Sequence, residues 1–166
     1  MTIQPLSTSK SAGGFEGGLA DPHPDLHLKR PCLLVSDLEK SLTLYRDVLG
    51  FRLDFVGAAD DDSYLYTVFQ ISPQARLTFA ALSTAHEPRG LALTEVVGVE
   101  LPPPQCPYRI GIVIQVPNLA TTIQTIQSLG LEVMLSRSFT APPDKTFTEQ
   151  GFYDFDGHLI VLYDKT

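Results

Sequence analysis

Tryptophan is absent from this chain of 166 residues, and cysteine and methionine occur only twice each. Cys32 and Cys106 are too few for a disulfide framework, and we expect both to be free thiols of a reducing compartment. Charged residues are also scarce, at 19%. The sequence has 12 Lys and Arg against 19 Asp and Glu, and the basic residues form no cluster. The net charge of -7 argues against binding to nucleic acid or to an anionic membrane surface.

Long apolar runs are missing as well. The first 20 residues contain no apolar core of a signal peptide, and no later stretch reaches the roughly 20 residues needed to cross a bilayer. We therefore expect a cytoplasmic protein with no nucleic-acid or membrane partner. Residues 1–26, with four glycines, are predicted to be a flexible N-terminal arm. This arm is either a disordered tail or a segment that covers the pocket or a neighbouring subunit.

What the chain does contain is one segment pattern that occurs twice. Val35-Ser36-Asp37-Leu38 leads into an apolar stripe at helical spacing that ends at Gly50. Val116-Pro117-Asn118-Leu119 leads, 81 residues later, into a second such stripe that ends at Gly130. Each copy therefore has a strand end, a polar residue able to cap a helix, and a glycine where the helix stops. The repetition predicts two copies of one supersecondary unit.

Strand and helix patterns divide the chain into two βαβββ modules, predicted for residues 27–83 and 108–166. In the first module, strands are predicted at residues 28–35, 51–56, 64–71 and 76–82. In the second, they are predicted at residues 108–116, 131–135, 147–155 and 158–163, with the last turn at Asp156-Gly157. Residues 84–107 are predicted to be an insertion and a stiff Pro-rich linker, in which residues 91–101 form an extra strand or a flap. The expected fold class is α+β, an open, curved, mixed β-sheet cup with helices outside.

The repeated motif and the segment from Phe152 to Ile160 resemble the vicinal oxygen chelate superfamily. That superfamily includes glyoxalase I, extradiol dioxygenases and bleomycin resistance proteins. The resemblance covers residues 27–83 and 108–164. It implies a divalent metal held at four set positions in most enzymes of the family, and it implies that the chain forms a homodimer.

The metal ligands that the resemblance implies are missing from this sequence. A His, Gln or Glu is expected five residues before the Val of each motif copy, where this chain has Arg30 and Gly111. A Glu is expected four residues after the glycine of the last hairpin, where this chain has Val161. The remaining position, on the last strand of the first module, aligns with Ala81, or with Phe79 after a two-residue slip. Because none of these side chains is a normal metal ligand, we expect no metal and no cofactor.

The four histidines offer no obvious replacement. His23 and His86 lie in the predicted arm and insertion, and His158 lies in the last hairpin. His27 is three residues from Arg30, so strand alternation turns it to the opposite face. Because a metal needs three or four converging donors, these positions are interpreted as surface or turn histidines rather than as a relocated metal centre.

Strand alternation predicts which side chains line the cup. The residues predicted to bind a ligand there are Arg30, Cys32, Phe79, Ala81, Arg109, Gly111, Val113, Val161 and Tyr163. The opposite set, expected to pack under the helices, is aliphatic: Leu33, Val35, Ile112, Ile114, Ile160 and Leu162. Apolar walls with two arginines suit a small organic molecule that carries a carboxylate, phosphate or enolate oxygen. Tyr64 and Tyr66 are further candidates for the same cavity.

Three functions remain open at this point. The first is a metal-free protein that binds such a molecule, as drug-resistance members of the family do. The second is a metal-independent isomerase, cyclase or lyase that transfers a proton, with Arg30, Arg109 and Glu149 as candidate catalytic residues. Glu149 is either a base in an apolar pocket or a solvated strand-edge residue, and Cys32 is either a thiolate beside Arg30 or a packing residue. The third is a metal-dependent lyase or dioxygenase with relocated ligands.

Overall fold

The structure, a computed structural model, describes residue 21 and residues 24–165. Most of the predicted arm, including His23, therefore lies outside the described residues. The elements of the first half are β1 (Cys32–Val35), α1 (Leu38–Leu42) with a π-helical continuation (Thr43–Val48), β2 (Arg52–Ala58), α2 (Tyr64–Val68), β3 (Arg76–Ser83) and β4 (Leu91–Val97). Those of the second half are β5 (Ile112–Gln115), α3 (Leu119–Ser128), β6 (Arg137–Ala141), β7 (Lys145–Tyr153) and β8 (Leu159–Lys165). No helix in the described part of the chain is long and apolar enough to span a membrane.

The strands form two open, mixed sheets of the same topology. Their orders are β1-β4-β3-β2 and β5-β8-β7-β6. In each sheet the first strand runs parallel to the last strand, and the other pairs are antiparallel. In each half a helix follows the first strand and forms part of the crossover connection that a parallel pair needs. Each half is therefore a βαβββ module. The α+β fold with two repeated modules is confirmed.

One strand prediction in the first module, that for residues 64–71, is wrong. Residues 64–68 form α2 rather than a strand, and Ser63 caps this helix by accepting a hydrogen bond from the backbone N–H of Leu65 (3.4 Å). The fourth strand is instead β4, so of the two alternatives for residues 91–101, an extra strand or a flap, the strand is the one that forms. The alternation of Tyr64, Tyr66 and Val68 imitates a strand, but no side chain of α2 is fully buried. In contrast, residues 91–94 are all buried. At this central position of the sheet, β4 therefore buries more apolar surface than residues 64–68 would.

The second module differs from its prediction at one strand. Residues 131–135 make only an isolated bridge, between Val133 and Phe152. The edge strand lies further along the chain, at β6, and pairs with β7 from Arg137↔Glu149 to Ala141↔Lys145. Most residues of β6 are exposed, so this edge strand carries little of the apolar signal on which sequence prediction depends.

One face of each sheet packs against the helices in a continuous core. Of the six aliphatic residues that alternation assigned to this face, Leu33, Val35, Ile160 and Leu162 are buried in that core. Ile112 and Ile114 are partly buried and pack against it. Residues of α1, its π-helical continuation and α3 fill the same core. The predicted alternation along β1, β5 and β8 is confirmed, and the opposite faces of the two sheets are called the inner faces below.

The helix of the first module begins and ends as its sequence predicts. Asp37 accepts a hydrogen bond from the backbone N–H of Lys40 (2.9 Å), which is N-cap geometry. Glu95 on β4 accepts a second one from the N–H of Leu38 (3.0 Å), so the last strand also holds the helix start. The helical segment ends before Gly50, whose φ of +82° is the left-handed conformation that favours glycine.

The second module repeats this arrangement. Asn118 accepts from the N–H of Thr121 (2.9 Å), and Asp164 on β8 accepts from the N–H of Leu119 (2.9 Å). Gly130, at φ +80°, follows the helix end. The two modules therefore share their helix caps as well as their strand order, which indicates that they are copies of one structural unit.

Candidate functional site

The four positions at which the resemblance implies metal ligands lie on the inner faces or at their strand ends. Val161 on β8 pairs with Val113 on β5, and Cys32 on β1 pairs with Ala92 on β4. Since the modules repeat, Ala92 is the counterpart of Val161. Ala81 lies on β3, opposite Ala92, so the expected alignment of Ala81 with the last strand of the module is corrected by one strand.

These positions do not fit a metal ion. Ala92, Gly111 and Val161 have no donor atom in their side chains, and Arg30 has none while charged. Among the described residues, no group of three or more His, Cys, Asp and Glu side chains is placed to hold an ion. Nε2 of the His158 ring lies 2.7 Å from the backbone carbonyl oxygen of Leu34. His27 and His86 are exposed.

The inner face of the first sheet carries a fixed arginine on an aromatic surface. The guanidinium carbon of Arg30 lies 5.4 Å from the ring centroid of Phe79, and Nη1 of Arg30 donates to the carbonyl oxygen of Arg89 (3.2 Å). Phe55 lies beside Phe79, with 6.3 Å between ring centroids, and is 49% exposed. Arg30 and Phe79, both predicted site residues, are therefore in contact. The neighbouring Phe55 was not predicted, and a bulge between Leu53 and Phe55 interrupts the alternation of its strand.

The floor of this face is closed to solvent. Ala81, Ala92 and Thr94 are buried, and Cys32 is half-buried with its Sγ 3.2 Å from the Oγ1 of Thr94. Burial raises the pKa of the Cys32 thiol, although its contact with Thr94 and the charge of Arg30 act in the opposite direction. A thiol with a raised pKa is a poor nucleophile at neutral pH, so the geometry favours the packing role for Cys32.

Helix α2 covers the far end of the same face. Leu65 and Tyr66 pack on a small core of Ala75, Leu77 and Val96, and the hydroxyl group of Tyr66 donates to the carbonyl oxygen of Ala75 (2.9 Å). Tyr64, the other tyrosine considered for the cavity, points away and is 75% exposed. The open part of the first inner face is therefore the end that carries Arg30.

The inner face of the second sheet is more open. Val113 is 64% exposed, and Val161 and Tyr163 beside it are partly exposed. The hydroxyl group of Tyr163 donates to Oε1 of Gln115 (3.3 Å), and Glu149 lies opposite Tyr163 on β7. This face thus brings together three predicted residues and the candidate base Glu149.

Arg109 lies apart from both the residues around Arg30 and the residues around Tyr163. It precedes β5 and is exposed, and no hydrogen bond or ion pair involves its side chain among the described residues. No hydrogen bond or ring contact between described residues joins the inner face of one sheet to that of the other. The predicted set is therefore divided into a first-sheet group with Arg30 and a second-sheet group with Tyr163.

Among the described residues, the hydrogen bonds between the modules concentrate at the β7–β8 turn, residues 154–158. The buried carboxylate of Asp154 accepts a hydrogen bond from the hydroxyl group of Tyr45 (2.7 Å). Asp156 accepts one from the backbone N–H of Ser36 (2.9 Å), and Lys40 lies 4.6 Å from the ring centroid of Phe155. The turn was recognised as a motif, but its contact with α1, more than 100 residues away, has no local signal in the sequence.

Two cavities flank this turn. One, of about 690 Å³, lies between β4, the Pro-rich linker at residues 98–104 and the turn. The other, of about 180 Å³, is apolar and is lined by residues of β1, the approach to β5 and the start of β8. Gly111 is the only predicted site residue in either lining, so these cavities are separate from the arginine and tyrosine groups.

Comparison with known proteins agrees with this geometry. The sequence profile of the glyoxalase/bleomycin resistance protein/dioxygenase superfamily matches residues 27–162. The chain belongs to this superfamily. Its resemblance to vicinal oxygen chelate proteins is thereby confirmed, although no curated protein matches it.

Solved structures of the superfamily share the fold at low sequence identity. A glyoxalase family protein from Bacillus cereus superposes with a TM-score of 0.67 at 11% identity, covering 89% of this chain and 99% of that one. The trypanothione-dependent glyoxalase I of Leishmania major gives 0.58 at 17% identity, with 84% and 86% covered. The fosfomycin resistance protein FosX of Listeria monocytogenes, in complex with Mn(II) and sulfate, gives 0.53 at 20% identity, with 84% and 93% covered. At these identities the likeness shows the fold alone.

Proposed function

We propose that this member of the superfamily binds a small, partly apolar organic molecule on its inner faces without a metal ion. The observation that carries the proposal is Arg30, which stands at a ligand position of the family and is held against Phe79. Apolar walls with a few placed polar groups are typical of small-molecule sites. A cation at that position would attract a carboxylate, phosphate or carbonyl oxygen of the ligand directly.

The contacts of Arg30 support a recognition role. One guanidinium nitrogen donates to the Arg89 carbonyl and the planar group lies over Phe79, which limits its rotamers. A pre-organised guanidinium loses little conformational entropy on binding and offers its remaining N–H groups in a fixed fork. Phe55, exposed beside Phe79, extends the aromatic surface on which a flat ligand would lie.

A second candidate function is a metal-independent enzyme that transfers a proton on the same kind of molecule. The observation that favours it is Glu149, whose half-buried carboxylate has no hydrogen-bond or ion-pair partner among the described residues and lies opposite Tyr163. A carboxylate and a phenol on one open face are a base and an acid able to act on a bound substrate.

The proposal includes a cytoplasmic homodimer. Large apolar side chains are exposed on the second module, including Ile110 (73%) and Leu135 (96%). Exposed apolar surface of this kind is often covered by a protein partner. A second copy of the chain is the simplest such partner.

The test uses aromatic carboxylates, with benzoate and phenylacetate as probes, in a calorimetric titration. Arg30→Ala should weaken binding by about 2 kcal/mol, because it removes a hydrogen bond to a charged group. Arg46→Ala, on the helical surface and paired with Asp47, is the matched control and should bind like the wild type. Unchanged affinity in Arg30→Ala would contradict the proposal, whatever the effect of Arg109→Ala.

A further inference from the structure

A row of four polar side chains crosses the inner face of the second sheet. The strand registers place Arg137 opposite Glu149, Glu149 opposite Tyr163, and Tyr163 opposite Gln115. All four strands of the sheet contribute one residue. Because directly opposed residues on one face are about 5 Å apart, these four side chains are neighbours.

The contacts of neighbouring residues fix the side of the sheet on which this row lies. Ile160 and Leu162 of β8 belong to the core under the helices, so Tyr163 points to the inner face. Phe147 contacts the ring of Tyr163 at 6.2 Å, which puts Glu149, two residues along β7, on the same face. Arg137 shares this face because Phe139, two residues along β6, stacks on Phe147.

The two charged side chains of the row have no partner in the described part of the chain. Neither the guanidinium of Arg137 nor the carboxylate of Glu149 has a hydrogen-bond or ion-pair partner among the described residues. Tyr163 donates to the carbonyl oxygen of the Gln115 side chain, which leaves the amide N–H groups of Gln115 free of that contact. An acceptor and a donor of opposite charge therefore stand side by side on an open face.

A pair of aromatic rings borders the row. Phe139 and Phe147 are stacked, with ring centroids 5.5 Å apart and an interplanar angle of 16°. Phe139 is 42% exposed. A flat ring placed on these residues would have its edge in reach of Glu149 and Arg137.

The first module lacks this arrangement at the equivalent positions. There the register aligns Leu34, Thr94, Phe79 and Gly57. Three of these have no polar side-chain atom, and Thr94 is buried. The polar row is therefore specific to the second module rather than a requirement of the fold.

We propose that this row recognises a planar molecule with a cyclic amide edge, such as a lactam or a ureide. Such an edge presents an N–H donor beside a C=O acceptor. The N–H would donate to the Glu149 carboxylate, the C=O would accept from Arg137, and the ring would stack on Phe147. The row should therefore bind a cyclic amide edge, with one donor and one acceptor, more tightly than a carboxylate, because the negative charge of Glu149 repels a carboxylate.

This inference extends the proposed function to a second group of residues and does not depend on Arg30. The probe is uracil, a planar cyclic ureide, titrated into ¹⁵N-labelled protein and followed by NMR. The matched ligand is 1,3-dimethyluracil, which keeps the ring and both carbonyl groups but has no N–H donor. Wild-type protein should bind uracil at least about tenfold more tightly than the dimethyl compound, the ratio expected for one hydrogen bond to a charged group.

Variants then assign the binding to the row. Glu149→Gln and Arg137→Gln should each weaken uracil binding about tenfold. Thr146→Ala, an exposed residue on the other side of β7, is the control and should leave binding unchanged. Arg30→Ala should also leave it unchanged, so that loss of carboxylate binding at Arg30 and loss of uracil binding here are separate results.

Several outcomes would overturn the inference. It fails if the wild type does not bind uracil at millimolar concentration, if both compounds bind equally, or if Glu149→Gln and Arg137→Gln bind uracil like the wild type. It also fails if Glu149→Gln changes the mass of the particle in light scattering, since the face would then be an interface between chains.

Discussion

Replacing Tyr45 by Phe removes one hydroxyl group from the junction of the two modules. Tyr45 is fully buried, and its hydroxyl group donates to Oδ2 of Asp154 at 2.7 Å. The other carboxylate oxygen, Oδ1, accepts from the backbone N–H groups of Asp156 (3.0 Å) and His158 (2.7 Å). Without the hydroxyl group of Tyr45, Oδ2 loses its hydrogen bond while Asp154 stays buried.

The cost of this change follows from the charge and burial of Asp154. A hydrogen bond to a charged group contributes about 1.5–3 kcal/mol, and the aromatic ring stays in place, so we expect the free energy of unfolding to fall by about 2 kcal/mol. For a chain of this length, that loss corresponds to about 4–8 °C in melting temperature. With a urea m-value of about 2 kcal/mol/M, the midpoint would fall by about 1 M.

The assay is urea unfolding followed by circular dichroism, with wild type, Tyr45→Phe and Tyr64→Phe compared at pH 7. Tyr64 is 75% exposed, so its variant should stay within about 0.5 kcal/mol of the wild type. An unchanged m-value would show that the variant changes stability without changing the surface area exposed on unfolding. If Tyr45→Phe is as stable as Tyr64→Phe, the reasoning that this hydrogen bond holds the modules together is wrong.

Three further predictions concern ionisation and assembly. Burial, and then the charge of Asp154, raise the pKa of Tyr45 well above 10.0. The unfolded chain therefore loses this proton first, stability falls as the pH rises above about 10, and Tyr45→Phe should flatten that fall; equal pH profiles would contradict it. Iodoacetamide should modify the exposed Cys106 before Cys32, whose thiol pKa is raised, and equal rates in peptide mass spectra would refute this order. Light scattering should give twice the 18.2 kDa of one chain, and a monomer mass at micromolar concentration would rule out the dimer.

The sequence was most informative where local periodicity decides the structure. Helix boundaries at Asp37, Gly50 and Asn118 depend on local capping chemistry, and alternation along β1, β5 and β8 depends on a period of two. Both were readable without a structure. The repeated motif also identified the family, because the order and spacing of its segments match the family over much of the chain.

Predictions failed where the competition between segments decides the structure. Tyr64–Val68 alternates like a strand, yet β4 occupies the sheet position because it buries more apolar surface. The place of Arg137 in the polar row depends on the register of β6, which no local signal in that exposed strand specifies. The contact of Tyr45 with Asp154 is likewise a tertiary property of two distant segments.

Ligand binding without a metal is tested most directly by native mass spectrometry of the purified protein before and after exhaustive chelation. We predict an organic adduct that persists after chelation, is absent from Arg30→Ala and is present in Arg46→Ala, with no stoichiometric divalent ion in any sample. A divalent ion bound one per chain, whose removal by the chelator also releases the adduct, would contradict the account.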